Sequence, residues 1–448
     1  MDMFNHMNEA THTDQLNIFR SWSTQRSQPN ILVTKGMGSW FWDDQGNKYL
    51  DFSSQRVNLN LGHQHPKIIN AIKRQADSLT SLAQIFSSEP RSQAAKMIAD
   101  RTPGELNKIL FTNSGTEAVE NAVRMARIHT GRNKIFAMYR SYHGSTGGAI
   151  SLTGDPRRWG SEPGVPGVVR FIGPYAYRSS FNASSEDEEC ERAINHLQEL
   201  LMYEGPQNVA AIILEPVVGS NGVLVPPKRY LQHVRKICDS FDIVLICDEV
   251  MSGFGRCGEW FAVNRWSVVP DLITFAKGVN SGYVPLGGVA ISSTISNTFL
   301  DTPYPGGGTY YGHPLACASA VGSIEALEEE SIMSRVNLLS EELIRPTLEK
   351  ICDAHSCVGE ARGVGFLWAL ELVKDKSTKE MLVPFNAPST ESAPMKLLEK
   401  ECLKRGVSVL TTANRLFICP PLNASEADIT LGLAVIDEVL YIIDKLAK

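Results

Sequence analysis

Asp271-Leu-Ile-Thr-Phe-Ala-Lys277-Gly278 is a short apolar run that ends on a lysine and breaks at a glycine. Upstream, Ile243-Val-Leu-Ile-Cys-Asp248-Glu249-Val250 is a second run of the same kind, and it ends on a carboxylate. Runs of this length and composition predict strands buried on both faces, as in a parallel sheet. In open α/β sheets, ligands sit at the carboxyl ends of the strands. The two runs therefore carry one lysine and one aspartate to the same edge. For Lys277 taken alone, a solvated charge at a strand end is the ordinary reading; the rest of the chain reverses it.

The chemistry suggested by the pair is specific. An apolar approach desolvates the ammonium and favours the neutral amine that a Schiff base needs. A lysine and an aspartate together suit pyridoxal 5′-phosphate (PLP), one for its aldehyde and one for its pyridine nitrogen.

Around these runs the elements alternate. Ile109-Leu-Phe111, Ala210–Leu214 and Gly287–Ile291 are further short apolar runs, separated by helical stretches. The pattern predicts a mostly parallel, doubly wound sheet. Residues 156–190, rich in Gly, Pro, Ser and Tyr, read as a long loop region. Residues 39–52 read as a hairpin turning at Asp44-Gln-Gly46-Asn47, and Pro66 opens a helix. Beyond about 331, long charged helices (331–353, 391–405) flank short strands at Gly365–Leu372 and Leu416–Ile418, and an amphipathic helix spans Glu426–Lys448. The expected division is residues 1–64 joining a small α+β domain, 65–330 forming the large domain, and 331–448 completing the small one.

Composition narrows the function. The chain has 448 residues, a net charge of −6 and a pI near 6.0, so nothing points to nucleic acid. The polar start lacks a signal-peptide pattern, and no apolar run reaches membrane-spanning length. The nine cysteines include no C-x-x-C pair and no zinc spacing. Scattered free thiols and no metal site are expected, in a cytoplasmic protein.

Phe111-Thr-Asn-Ser114-Gly-Thr-Glu117-Ala-Val-Glu120 is a strand end, a small-residue turn and a helix start. Such a helix N-terminus binds phosphate. Ser114-x-x-Glu117 is also a plain capping box, and both readings can hold because a cap occupies only some of the free N–H groups.

Together these stretches resemble the class III (ω-) aminotransferases among the fold-type-I PLP enzymes. The likeness runs through Asp51-Phe-Ser-Ser, Leu61-Gly-His-Gln-His-Pro66, Asn113–Glu120, Tyr142-His143-Gly144, Glu215-Pro216, Asp248–Arg256, Lys277-Gly278, Pro285-Leu-Gly-Gly288, Thr309–Pro314 and Ala361–Gly365. The stretches at 52–55 and 62–66 are most similar to the branch acting on taurine and other ω-amino acids.

The resemblance implies roles. Lys277 would hold PLP as an aldimine and then shuttle the proton between carbons. Asp248 would pair with the pyridinium N–H. Tyr142 would stack on one ring face and Val250 pack on the other. Ser114, Gly115 and Thr116 would hold the phosphate, and Thr309 would reach the phosphate of the neighbouring subunit, in a homodimer or a dimer of dimers. His143 stays open between a structural and a catalytic role.

The substrate side departs from the family pattern. Arg56 falls where relatives carry a tyrosine or an aliphatic residue. It either binds a substrate carboxylate or sulfonate, or points outward or pairs with a carboxylate such as Glu215. Relatives place an arginine where Phe417 stands here. Arg415, two residues earlier on the same strand face, is either a substitute or a surface charge. Glu215 in some relatives pairs with the mobile arginine. Trp22 either lines the pocket or anchors the N-terminal segment.

The activity expected is transfer of an amino group from an ω-amino acid or amine to an oxo acid, pyruvate or 2-oxoglutarate, by a ping-pong route. Racemase, aminomutase and decarboxylating transaminase reactions use the same lysine and stay open. A different phosphate ligand in the Gly-rich turn is disfavoured, because the turn at 113–117 carries no G-x-G-x-x-G and Asp248 and Lys277 would then lack a purpose.

Overall fold

The computed structural model describes residues 9–26, 31–387 and 391–447. Seven strands form the central sheet, in the order Lys108–Thr112, Gly287–Ile291, Leu272–Phe275, Val244–Asp248, Val209–Leu214, Lys134–Met138, Val168–Phe171. From Leu272–Phe275 outward to Val168–Phe171 every pairing is parallel. Gly287–Ile291 alone runs antiparallel to both neighbours. The mostly parallel sheet expected from the apolar runs is borne out.

Alternation along the strands explains why helices cover both faces. Ile212, Leu245, Ile273 and Phe275 point into one core with the helices Glu186–Glu204 and Tyr230–Phe241. Ala211, Ile213, Val244, Ile246 and Leu272 point into the other, against Ala118, Val119, Ala122 and Ala126 of the helix Gly115–Thr130. Each fully buried Ile or Leu contributes about 1.5–3 kcal/mol, so packing of these faces, more than helix propensity, holds the layers.

Two strands of the central sheet, Lys134–Met138 and Val168–Phe171, escaped the sequence reading. Val168–Phe171 lies inside the stretch read as loop, and so does the start of the helix at Glu186. At the edge of the sheet only Phe171 of that strand is fully buried, so no continuous apolar run marks it. The charged helix expected over 331–353 is divided into Ile332–Leu339 and Arg345–Ala354, with a wider π turn at Ser340–Ile344. Pro346 has no N–H to continue the α-helical ladder.

Both ends of the chain build the remaining sheets. Val33–Met37, Trp40–Asp43 and Lys48–Asp51 form an antiparallel meander, and Lys48–Asp51 pairs in parallel with Val407–Ser408. Val358–Val364, Leu367–Asp375, Arg415–Ile418 and Leu410–Thr412 form an antiparallel sheet. Fully buried Arg256 ties these parts to the central one. It donates to Phe366 O (3.1 Å), Pro420 O (2.6 Å), Ser54 Oγ (3.1 Å) and Asn60 Oδ1 (2.9 Å).

Candidate active site

Asp248 is the last residue of its strand and is buried at the carboxyl edge of the sheet. Its Oδ2 lies 2.7 Å from His143 Nδ1, and its Oδ1 accepts from Thr274 Oγ1 and Val250 N, each at 3.1 Å. An ionised carboxylate has about four acceptor positions. Three are taken, which leaves capacity for one more donor.

Lys277 follows the strand Leu272–Phe275 in a left-handed conformation, φ 43°. A non-glycine residue in that region is uncommon and needs support. Gly282 N donates to Lys277 O at 3.0 Å, and Leu61 N to Ser281 Oγ at 3.1 Å. Asn58 and Asn60 pack against Gly282 and Gly278. Among the described residues the Lys277 ammonium has no hydrogen bond or ion pair. Burial lowers its pKa, against the opposing pull of Asp248 and Glu215.

At the start of the helix Gly115–Thr130 Ser114 caps as expected, its Oγ accepting from Glu117 N at 3.5 Å, but the box does not close on the cap residue: Glu117 Oε2 accepts from Asn113 N, one residue earlier, at 2.7 Å. The amides of Gly115 and Thr116 have no acceptor among the described residues. The Thr116 hydroxyl is engaged with the next loop, accepting from Ser145 N (3.2 Å) and Thr146 N (3.1 Å). The backbone of Thr116, more than its side chain, faces free. A Cβ on Gly115 would meet Val250 Cγ2 at 2.7 Å, so only glycine fits beneath that valine.

Tyr142 is half-buried. The Arg157 guanidinium lies 3.7 Å from its ring centroid, and Trp22 of the same chain stands edge-on at 6.2 Å. Burial raises the Tyr142 hydroxyl, and Arg157 opposes the rise. Glu215 accepts from Tyr142 N (2.9 Å) and Gly219 N (2.8 Å). Burial pushes its carboxyl up to about 7; His143 opposes this and Asp248 adds to it.

The remaining residues singled out from sequence divide. Arg415 is buried and donates to Asn221 O (2.8 Å) and Thr412 O (3.1 Å), while burial lowers it to about 10. Phe417 is buried on the same strand. Arg56 is exposed, and the carboxylate that feels its charge is Glu399, not Glu215. Its neighbours Ser54, Gln55 and Val57 all have positive φ (47°, 61° and 57°). Thr309 is exposed and makes no side-chain hydrogen bond among the described residues.

Arg157 was not singled out from sequence. It follows Asp155-Pro156 within the irregular stretch, and nothing local marks it as facing Tyr142. Its Nη2 donates to Ser220 Oγ at 2.8 Å and its Nε to Asp155 Oδ2 at 2.8 Å.

These groups fit PLP. The spare acceptor position of Asp248 suits a pyridinium N–H, the unpartnered Lys277 amine an aldehyde carbon, and the free Gly115 and Thr116 amides a phosphate. Among the described residues no group of three or more His, Cys, Asp or Glu side chains is placed to hold a metal.

Comparison with known proteins agrees. The aminotransferase class-III family model matches residues 22–440. The putrescine–pyruvate aminotransferase of Pseudomonas aeruginosa is 35% identical over 91% of this chain and 90% of its own length. A probable 4-aminobutyrate aminotransferase of Bacillus subtilis is 33% identical over 91% and 92%. The taurine:2-oxoglutarate aminotransferase of Bifidobacterium kashiwanohense, solved with PLP and glutamate, superposes with a TM-score of 0.94 at 41% identity, covering 98% of both chains. An (S)-enantioselective ω-transaminase of Thermomicrobium roseum gives 0.91 at 33% identity, over 97% of this chain and 98% of that one. The family model spans more than nine-tenths of the chain and the relatives match along nearly its whole length, so the chain belongs to the class-III aminotransferases, PLP-dependent enzymes that move an amino group from an ω-amino acid or amine to an oxo acid.

Proposed function

We propose that the donor is an ω-amino acid with an acidic far end, in preference to a diamine, and that the site residues divide the work as follows. PLP, when bound, supplies an aldehyde for the amino group and a ring that delocalises a carbanion. Lys277 would hold the cofactor through its amine, and the same amine, free of other partners among the described residues, would serve as the base that moves the proton. Asp248, oriented by His143 and Thr274, keeps the ring nitrogen protonated. Tyr142 and Val250 confine the ring, and Gly115 and Thr116 hold the phosphate through their amides. Thr309 of the partner subunit completes that cradle in a homodimer, alone or paired as a dimer of dimers; its exposure, beside exposed Ile85, Phe86 and Tyr310, supports this.

One observation carries the donor assignment. Arg157 and Arg415 hang on adjacent residues of a single turn, on Ser220 Oγ and Asn221 O, both at 2.8 Å. Arg157 also covers the Tyr142 ring. Arg157, over the stacking tyrosine and paired with Asp155, and Arg415, held on the next residue of the same turn, favour a carboxylate or sulfonate and repel a second ammonium. Trp22 forms the apolar wall next to them.

No helix among the described residues is long and apolar enough to cross a membrane. Nine unpaired, mostly buried cysteines support residence in the reducing cytoplasm.

The test is a donor panel of taurine, β-alanine, 4-aminobutyrate and putrescine against pyruvate and 2-oxoglutarate. The acidic donors should have kcat/KM at least roughly tenfold above putrescine, the worth of one charge-assisted contact. A preference for putrescine overturns the donor assignment. Loss of carbon dioxide or inversion without amino transfer would move the enzyme to another reaction on the same scaffold.

A further inference from the structure

Behind Arg415 the structure stacks guanidiniums and rings alternately. Arg362 lies 4.9 Å from the Tyr175 ring centroid, and Arg140 lies 5.2 Å from the same ring. Arg140 lies 4.8 Å from the Phe385 ring, and Arg415 lies 5.5 Å from that ring. The ladder thus runs Arg362, Tyr175, Arg140, Phe385, Arg415. Arg140 enters it because its backbone is left-handed, φ 66°. The chain turns there, and Tyr142 two residues on reaches the cofactor side.

Charge along the ladder is unbalanced. Arg362 is paired with Glu360 and, at 2.7 Å, with Glu371; Arg178 is paired with Glu371, which also accepts from Tyr175 Oη. Both carboxylates are thereby spent on one end. Among the described residues, Arg140 makes no side-chain hydrogen bond and no ion pair. Arg415 donates to the two carbonyls of Asn221 and Thr412 and, among the described residues, to no carboxylate. A Cβ on Gly222, at φ 112°, would meet Arg415 Cδ at 2.3 Å, so this side chain occupies its place only because residue 222 is glycine. Two cations without an ion-pair partner among the described residues share the Phe385 ring; Arg415 is buried, Arg140 and Phe385 are part-exposed, and Glu371 attracts both cations without pairing with either. A charge held by neutral acceptors is less firmly placed than one in an ion pair, and Arg140 makes its position less favourable still.

We propose that Arg140 is a positioning residue for acidic-substrate recognition: its unpaired guanidinium, one ring removed from Arg415, keeps Arg415 poised to meet an anion and matches the site to a dicarboxylic oxo acid acceptor. The inference rests on the reading of Arg415 as an acid-binding residue. A dicarboxylate brings two negative charges to a ladder with two in excess, and its binding relieves a repulsion that the substrate-free state retains. Binding energy of that kind is differential between acidic and neutral acceptors.

The experiment compares 2-oxoglutarate with an uncharged aldehyde acceptor in the holoenzyme. Arg140→Met should raise KM for 2-oxoglutarate roughly tenfold, the scale of one charge at an effective dielectric of about 20, with kcat and the aldehyde KM little changed. Arg140→Lys, which restores the charge, should recover most of the loss, and added salt should narrow the gap between wild type and Arg140→Met. Equal losses on both acceptors, no change, or failure of Arg140→Lys to rescue would each overturn the proposal. Arg415→Met is measured alongside. If it leaves the 2-oxoglutarate KM unchanged, the reading of Arg415 falls; if it raises KM while both Arg140 variants behave as wild type, only the role of Arg140 falls.

Discussion

His143 Nδ1 and Asp248 Oδ2 lie 2.7 Å apart, and the other imidazole nitrogen has no partner among the described residues. The histidine therefore orients the carboxylate from behind. His143→Leu should lower kcat by roughly 10–100-fold, by analogy with the carboxylate–histidine pairs of metal sites. Asp248→Asn should cost more, since in the proposed assignment it removes the charge that would keep the ring nitrogen protonated. Steady-state kinetics on both variants decide the ranking; a larger loss in His143→Leu would reverse it.

Lys277→Ala should abolish the borohydride-reducible linkage to the cofactor and reduce turnover by several orders of magnitude, because in the proposed assignment one amine would both hold the cofactor and move the proton. Peptide mapping after reduction checks the attachment point. A pyridoxyl group on any other lysine sinks the assignment.

Thr309→Ala should weaken PLP binding by about 1–2 kcal/mol, the worth of a charge-assisted hydrogen bond. Mixing Lys277→Ala chains with Thr309→Ala chains should produce dimers with one intact site. Sedimentation showing a fully active monomer would refute the shared cradle.

Among the arginines, Arg157→Leu and Arg415→Leu should raise KM for acidic substrates and spare uncharged amines, a change of selectivity and not a uniform loss. Arg56→Leu should change neither by more than about threefold, because Arg56 is exposed and faces Glu399. If Arg56→Leu alone discriminates acidic from neutral substrates, the acid-binding pair has been misassigned.

Stability should peak on the acid side of neutrality. Burial pushes Glu249 from 4.5 up to about 7, so the folded chain holds a proton that the unfolded chain releases between those values. Its contribution to stability falls as pH rises through that window. Glu371 runs the other way. Burial opposes its ionisation, but Arg362, Tyr175 and Arg178 outweigh this and hold it at about 2. Its contribution is present above 4.5 and is lost as pH falls towards 2. Urea unfolding between pH 4.5 and 7.5 should show a steeper decline in wild type than in Glu249→Gln. Parallel slopes would show that Glu249 is ionised in the folded protein throughout.

The strands that carry Asp248 and Lys277 were legible because burial on both faces leaves an unbroken apolar run. The edge strand Val168–Phe171 was not, because its half-exposed face admits Arg170, which turns back to Thr153 O at 3.3 Å. The cap at Ser114 was legible for a local reason: donor and acceptor are three residues apart. Arg157 and the Arg140 ladder had no such signal. Residues 140, 175, 362, 385 and 415 meet only after the sheets have packed, and no spacing along the chain encodes that meeting. Arg56 shows the converse: a residue type suited to acid binding whose side chain the fold turns outward.

The meander at the start of the chain has a consequence for biosynthesis. Lys48–Asp51 pairs with Val407–Ser408, Trp40 Nε1 donates to Asp428 Oδ1 at 3.0 Å, and Phe52 packs against Gly432. All three partners lie more than 350 residues further along the chain and leave the ribosome correspondingly later. At about 5–20 residues per second, the nascent meander waits on the order of tens of seconds with an open strand edge and uncovered aromatic side chains. Truncations near the C-terminus should therefore leave a chain whose central sheet folds while its first strands stay bound to chaperones.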